Sequence, residues 1–562
     1  GSVGRTYLCK LNSTLQRHSR SNTTPFVSMV SIPLYKKRST ATRNNHNGGD
    51  GADARSRRSR ALLRSTKTSM PMYGALSDDY AAQIVVDGTT VVNVNIDTGS
   101  VAFAVAGSSD IGCDRYVPAA DYISDGRCDV SNNVTATYGS GWWSGVMCNM
   151  TVRFGDVDDD DSSSSLFQVS DYSGGLMLRQ RQMTTCARTP DDDPTSLSFR
   201  EKPDVYMEGI AGFAFPDPTN PTFRPILSQL FFGDDNHHEM KKNSQDELQP
   251  VFGLQQCGYE PVLNAGGNGA LDLGGFDPSH YVGTIQWTPV VEPRYWGVHM
   301  TAVRLGHLPS SFSSTTRTMM TTTTQLPNLM PENQTTALDE SGRARTALDS
   351  GTSMAYFDPV TFESILQTLR STLSDAKDLP DSFYDGQACA TLDEIDITQW
   401  PPLVLEFARD VENGNDDDEG SDTPVVLTIP ACRYVELVPP GWCVGNAPDT
   451  RADFPHDQPA YSIAIGKAPP NEYALLGQVI FEQYYVAHDM TPGKERMGFA
   501  TLAGCSPASY CVDGSASPGV PERIAPHHVG VLLGVGISIL TAVRYFRKKW
   551  NQRPEYTEIL DT

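Results

Sequence analysis

Along most of this chain the apolar positions come in short β-branched runs broken by Gly, Pro, Asn and Asp. Runs of this length and composition predict strands rather than helices. Residues 82–88, 91–95, 150–155 and 424–429 are examples. Helical spacing is rare. It is clearest over residues 359–373, where Phe362, Ile365, Leu366 and Leu369 share one face. The body from Tyr73 to about Ala508 therefore reads as all-β with a few short helices. Acidic residues 156–161 and 413–419 read as solvated loops, and Ser/Thr/Met-rich 310–345 as a mobile surface insertion.

Both ends break this pattern. Residues 1–72 carry 14 Lys/Arg against two acids, Asp50 and Asp53, in a Ser/Thr/Asn-rich context unsuited to packing a core. Arg55-Ser56-Arg57-Arg58 resembles a dibasic processing site. At the other end, residues 529–543 are uncharged and mostly apolar. A helix of that length covers ~22 Å of a hydrocarbon core about 30 Å thick. Tyr545 and Phe546 extend the apolar stretch and Arg544 can snorkel, so a span over 529–546 is expected. Arg547, Lys548 and Lys549 follow, which places the tail in the cytoplasm and the body outside it. The chain starts at Gly1 with no charged-then-apolar leader, so targeting information is expected upstream.

Composition narrows the class. The 562 residues have room for two lobes of ordinary size. Net charge is −23, and since the head is basic, the body is strongly acidic, which argues against nucleic-acid binding. Ten of the 11 cysteines lie beyond the head, with no CxxC pair and no His/Cys cluster of zinc spacing. His299 and His488 stand apart from any such cluster. Disulfides in an oxidising compartment fit better than a metal. Sequons at Asn133, Asn149 and Asn333 point to the same compartment.

One pattern occurs twice. Ile96-Asp97-Thr98-Gly99-Ser100 follows a strand-like run, and Ala347-Leu348-Asp349-Ser350-Gly351-Thr352 repeats its logic about 250 residues later. Each copy sets an acid at the end of an apolar stretch, then hydroxyl, glycine, hydroxyl. Alone, Asp-Thr-Gly is an ordinary turn; two copies suggest a duplicated lobe carrying one carboxylate each. Two adjacent carboxyls share a proton. The ionised one can take a proton from water while the other donates to a carbonyl oxygen, giving a tetrahedral diol without a covalent intermediate. The glycines let backbone N–H groups turn toward the acids. Ser100 and Thr352 can bond the carboxylates, and Thr98 and Ser350 can bridge the two loops.

Asp97-Thr98-Gly99-Ser100 and Asp349-Ser350-Gly351-Thr352 resemble the paired motifs of pepsin-like aspartic proteases. Thr137-Tyr138-Gly139-Ser140-Gly141 resembles that family's flap, and Gly209-Ile210-Ala211-Gly212 and Leu475-Leu476-Gly477 its segments behind each catalytic loop. Leu273–Asp277, Trp287-Thr288-Pro289 and Tyr295-Trp296 resemble the start of the second lobe, and 481–500 its closing strands. The similarity runs from about Tyr73 to Cys505 in unbroken order, and within the family it is nearest the membrane-anchored β-secretase (memapsin) type. Ala104 stands where pepsin has tryptophan, and Trp143 is expected to supply the missing bulk. The insertion lacks the cysteine that memapsins carry before the second motif.

The resemblance implies a bilobal fold with the cleft between lobes, Asp97 and Asp349 as the dyad, and Tyr138 with Gly139, Ser140 and Gly141 over the substrate. It implies a Cys257–Cys505 bridge; Cys113–Cys128, Cys148–Cys186 and Cys389–Cys443 complete the expected set. Residues 1–72 form a prosegment that inhibits its own cleft, 73–275 the first lobe, 276–508 the second, 509–528 a linker, 529–546 the membrane helix and 547–562 the tail. Expected partners are extended polypeptides and the lipid bilayer, with no cofactor, no metal and a monomeric state. Tyr556-Thr557-Glu558-Ile559 resembles an endosomal sorting signal, so the expected location is an endomembrane compartment or the cell surface. The alternative is a catalytically silent lumenal receptor on the same fold.

Overall fold

The computed structural model describes residues 68–75, 78–113, 115–139, 141–154, 167–181, 183–184, 207–217, 221–233, 248–258, 269–306, 326–334, 336–386, 388–410, 423–438, 458–469 and 474–505. All fall in the compact unit Gly1–Gly514. The basic head before Thr68, the linker, the apolar run and the tail lie outside the described residues, as do both acidic loops. Among the described residues no helix is long and apolar enough to cross a membrane.

The described residues hold 23 strands and seven short α-helices, the all-β class expected from the patterning. Two halves repeat one topology. In the first, strand Thr90–Asp97 runs parallel to Gly209–Gly212, which pairs antiparallel with Phe103–Ala106, which runs parallel to Gln168–Arg181. In the second, Thr346–Leu348 runs parallel to Ala474–Leu476, then antiparallel Ala355–Phe357, then parallel Ile465–Lys467. Each catalytic motif thus leaves a strand flanked by the Gly-ended threading segment. Those glycines are steric necessities. A Cβ on Gly212 would lie 2.6 Å from the Ser100 carbonyl oxygen, and one on Gly477 would lie 2.0 Å from that of Thr352.

A six-stranded antiparallel sheet joins the halves. Its order is Thr68–Ala75, Gly269–Leu273, Val251–Gln256, Tyr484–Asp489, Arg496–Leu502, Tyr281–Glu292. The boundary expected at 275/276 falls inside this shared sheet, where each half lends strands to the other. Its central strands are buried on both faces, with Phe252, Leu254, Val486 and Phe499 sharing one of them.

The helix expected over 359–373 spans Pro359–Thr372. Asp358 caps it, accepting from the Val360 and Thr361 N–H groups at 2.9 and 3.0 Å. Proline at the first turn needs no intrahelical donor. Phe362, Ile365, Leu366 and Leu369 are buried as the spacing required.

Two expectations need correction. Residues 326–345 belong to the segment read as a mobile insertion, yet they pack. The Asn328 side-chain Oδ1 accepts from Val303 N–H at 3.1 Å, and Leu329 N–H donates to the Val303 carbonyl at 2.8 Å. Leu326 and Ala344 are also bonded to the body, through Arg304 and Glu292; residues 310–325 of the insertion lie outside the described residues. Disulfides differ too. Cys128 pairs with Cys148, not with Cys113, and Cys148 is therefore not joined to Cys186. The cause is register: Cys128 and Cys148 face each other across neighbouring strands, Cα atoms 4.0 Å apart. Cys113 is disulfide-bonded to another partner. Cys257–Cys505 is present. Cys389 is disulfide-bonded, and its expected partner Cys443 lies outside the described residues.

Candidate active site

Asp97 and Asp349 sit at equivalent strand ends and meet between the halves, each only 2% exposed. The contact is close: a Cβ on Gly99 would lie 2.4 Å from the Asp349 carboxyl carbon, and one on Gly351 would lie 2.6 Å from Asp97 Oδ1. Only glycine leaves room for the opposite carboxyl.

The two loops hold each other. Thr98 N–H donates to Ser350 Oγ at 3.1 Å, and Ser350 N–H donates to Thr98 Oγ1 at 2.9 Å. The Thr98 hydroxyl donates to the Leu348 carbonyl at 3.3 Å, and the Ser350 hydroxyl to that of Ile96 at 2.7 Å. Each hydroxyl both accepts from and donates to the other loop, so the four bonds fix the separation of the acids. Thr98 and Ser350 therefore bridge the loops as their place in the motif suggested.

Each acid also accepts from its own loop. Gly99 N–H reaches Asp97 Oδ1 at 2.9 Å and Gly351 N–H reaches Asp349 Oδ1 at 2.8 Å. Thr352 Oγ1 donates to Asp349 Oδ2 at 2.6 Å, a charge-assisted bond. Ser100 Oγ lies beside both the Asp97 carboxyl, whose acidity it favours, and Tyr138, but at ordinary hydrogen-bond geometry to neither.

The pair is electrostatically asymmetric. Burial raises the pKa of Asp97 well above the usual carboxylate range, and the neighbouring Asp349 charge raises it further. Burial raises Asp349 as well, but donors around it oppose the rise: Asp97, Thr352 and the Gly351 and Gly99 N–H groups. Both carboxyls are thus raised above the usual carboxylate range, and the pair shares one proton.

Strands Cys128–Thr137 and Trp142–Phe154 form the hairpin carrying Tyr138, closed by Tyr138 N–H to the Gly141 carbonyl at 2.8 Å. Tyr138 is buried, and Trp143 Nε1 donates to its hydroxyl at 3.5 Å. Burial pushes the Tyr138 pKa upward, so it stays a neutral phenol. Trp143 fills the space expected of it: the closest atoms to a Cβ on Gly175 would be those of Trp143 and Ala104. Phe223 meets the Trp143 ring edge-on at 5.8 Å, and Ala102, Ile111 and Met177 complete this apolar group. Gly139 lies at the hairpin tip, and Ser140 lies outside the described residues.

Asn133 and Asn149 are exposed on adjacent strands, while the side chain of Asn333 lies outside the described residues. Some contacts were not read from the motifs. Gln478 Nε2 donates to the Ser350 carbonyl at 3.4 Å, and Trp296 Nε1 to the Phe213 carbonyl at 3.0 Å. Trp296 belongs to the Tyr295-Trp296 pair and Gln478 directly follows Leu475-Leu476-Gly477, so their positions were legible but their partners were not.

Two interlocked, buried carboxyls at matching strand ends of a duplicated β-fold define a two-aspartate peptide hydrolase of the pepsin-like class. The model of the eukaryotic aspartyl protease family matches residues 79–398, and the chain belongs to that family. It is an aspartic endopeptidase. A β-secretase of Strongylocentrotus purpuratus is 24% identical over 451 residues, covering 75% of this chain and 67% of that protein. Cathepsin E of Mus musculus is 34% identical over 241 residues, 42% of this chain and 50% of its own length. Chymosin of Callithrix jacchus is 27% identical over 168 residues, 28% of this chain and 40% of its own length. The matched stretches thus span half or less of the last two relatives.

Proposed function

We propose that this endopeptidase works at acidic pH on extended polypeptides, anchored to an endomembrane or the cell surface with its body outside the cytosol. The observation that carries the acidic reading is the dyad. Both carboxyls are buried and their pKa values raised, so the pair keeps one proton above the ordinary carboxylate range. A water placed between them would lose a proton to Asp349 as its oxygen attacks the scissile carbonyl. Asp97 would give its proton to the carbonyl oxygen, forming the diol. The new Asp349 proton then passes to the amide nitrogen, the C–N bond breaks, and one diol hydroxyl returns a proton to Asp97. The site ends as it began. Thr352 and the Gly351 N–H support the charge on Asp349, and Tyr138 closes over the peptide and excludes water.

Supporting the location are the apolar run at 529–546, the basic residues after it, the paired cysteines and the exposed sequons at Asn133 and Asn149. The boundary expected at 72 moves back, since residues 68–72 form a strand of the shared sheet; the head before Thr68 suits a prosegment, because its Lys/Arg can sit in an acidic cleft at neutral pH and leave when the carboxylates protonate. The test uses the full chain expressed through the secretory route. Membranes are extracted with carbonate and assayed for pepstatin-blocked peptide cleavage from pH 3 to 8. Activity held in the pellet and maximal below neutrality supports both parts. Activity released to the supernatant removes the anchor, and no cleavage at any pH after loss of the head favours the silent receptor.

A further inference from the structure

We propose that Trp296 is a positioning residue that ties the two catalytic loops together from behind; the inference rests on the dyad reading above. The connections run in one line. Phe213 N–H donates to the Asp97 carbonyl at 2.7 Å. The Phe213 carbonyl accepts from Trp296 Nε1 at 3.0 Å. The Trp296 carbonyl in turn accepts from Leu348 N–H at 3.4 Å, and Leu348 precedes Asp349. The next residue, Gly297, pairs directly with Ala347 across the strands. A single residue of the second half is thus linked to the backbone of both acids, through its indole and Phe213 on one side and through its carbonyl and Leu348 on the other.

Two further observations separate this from ordinary core filling. First, the backbone of Trp296 is left-handed, at φ 54° and ψ 44°, directly after the 3-10 turn Pro293–Tyr295. A bulky residue adopts that conformation at a cost, and the fold sustains it where the indole must point across the lobes. Second, the fully buried ring is clamped by Phe215 at 4.5 Å, His488 at 4.6 Å and Phe252 at 5.6 Å. Phe215 comes from the first half just after the threading segment, and the other two from the shared sheet. Within this clamp the indole N–H donates to the Phe213 carbonyl. Packing alone would need the ring and not its N–H.

The loop interlock of Thr98 and Ser350 fixes the dyad at the front; Trp296 fixes the tilt of each loop at the back. Without the indole bond, Phe213 loses an anchor, and the Asp97 backbone is free to shift relative to Asp349. Substrate binding along the cleft would change little, whereas proton sharing and the attack step would suffer.

The test replaces Trp296 with 3-benzothienylalanine, which keeps the ring shape and exchanges the N–H for sulfur, alongside Trp296→Phe. Active sites are titrated with pepstatin, and kcat, KM and the pH profile are measured. We expect kcat per titrated site to fall roughly 10-fold with KM within about 2-fold, since small misplacements of reacting groups weigh on the chemical step. The acidic limb of the profile should also move. Unchanged kcat per titrated site and an unchanged profile, even with a lower melting temperature, would overturn the proposal. A wild-type protein that binds no pepstatin and cuts nothing instead overturns the protease reading beneath it. Should both variants misfold, native protein labelled with 15N-tryptophan decides. The Trp143 signal, which reports on the flap, is first assigned with Trp143→Phe; another buried indole N–H resonance that shifts on pepstatin binding supports the link, and buried indoles that otherwise stay fixed refute it.

Discussion

Acid stability turns on His488, which is fully buried in the sheet shared by the two halves. Its ring stacks on Phe252 with centroids 4.2 Å apart and planes within 6°. Neither ring nitrogen has a partner of ordinary hydrogen-bond geometry. Burial pushes its pKa down from the ordinary 6.5 to about 3, with the backbone of Val486 and Phe252 pulling weakly the other way. The sign follows from proton counts. Between these two values the unfolded chain binds a proton at this position and the native chain does not. Stability is therefore intact above the unfolded value and is lost as pH falls, by ~1.4 kcal/mol per pH unit. Two pH units below 6.5, near pH 4.5, the loss is roughly 2–3 kcal/mol, a large share of a typical net stability. His488→Phe keeps a ring against Phe252 and removes the titration. Urea unfolding would be compared with and without it, in an Asp97→Asn background that prevents self-digestion. The gain from the substitution should grow by about 2–3 kcal/mol between pH 7.5 and pH 4.5. A gain that is the same at both pH values would refute the reasoning. If the result holds, the protein carries a buried group that weakens it at the acidic pH proposed for its activity.

Other outcomes follow from the same site. Because the pKa values of Asp97 and Asp349 are raised in the native state, their contribution to stability is complete below the usual carboxylate range. It is lost as pH rises through the native values. Asp349→Asn should therefore be more stable than wild type at pH 7.5 and match it near pH 3, read by chemical denaturation. Gly99→Ala sets a methyl carbon against the Asp349 carboxyl, and should cut kcat/KM by at least ~100-fold, an effect of the size that misplaced catalytic groups produce. Non-reducing peptide mapping by mass spectrometry should recover a Cys128–Cys148 linked pair; a Cys113–Cys128 peptide would show the strand register to be wrong. Replacing both with serine should cost on the order of 2–3 kcal/mol, given the 20-residue separation.

Much of this arrangement was legible in the residues because local chemistry and global fold agree there. The Asp-hydroxyl-Gly motifs end strands in both halves, and their glycines and the hydroxyls of Thr98, Ser350 and Thr352 have the steric or hydrogen-bonding tasks that the motif suggested, whereas Ser100 does not make the bond expected of it. The helix at Pro359–Thr372 was readable because an Asp cap, a first-turn proline and a periodic apolar face coincide. What failed depends on register or on distant partners. Cys128 and Cys148 are neighbours only because a bulge between Asp129 and Asn133 sets two strands in line, and spacing carries no sign of it. Asn328 pins a stretch whose composition suggested a loose loop. Trp296 was visible as part of a Tyr-Trp pair, but its task depends on Phe213, 83 residues earlier. Long-range hydrogen bonds of this kind leave no periodic trace in a single sequence.

The central claim is that one proton shared by Asp97 and Asp349 hydrolyses peptide bonds. The most direct measurement is kcat/KM against pH for a pepstatin-sensitive peptide substrate, in wild type and in Asp97→Asn and Asp349→Asn. The account predicts a bell-shaped profile with its maximum below neutral pH, and no measurable cleavage by either variant. A wild-type rate that climbs steadily through neutrality, or a variant that still cuts at more than about 1% of the wild-type rate, a residue too large for loss of a paired catalytic group, would contradict it.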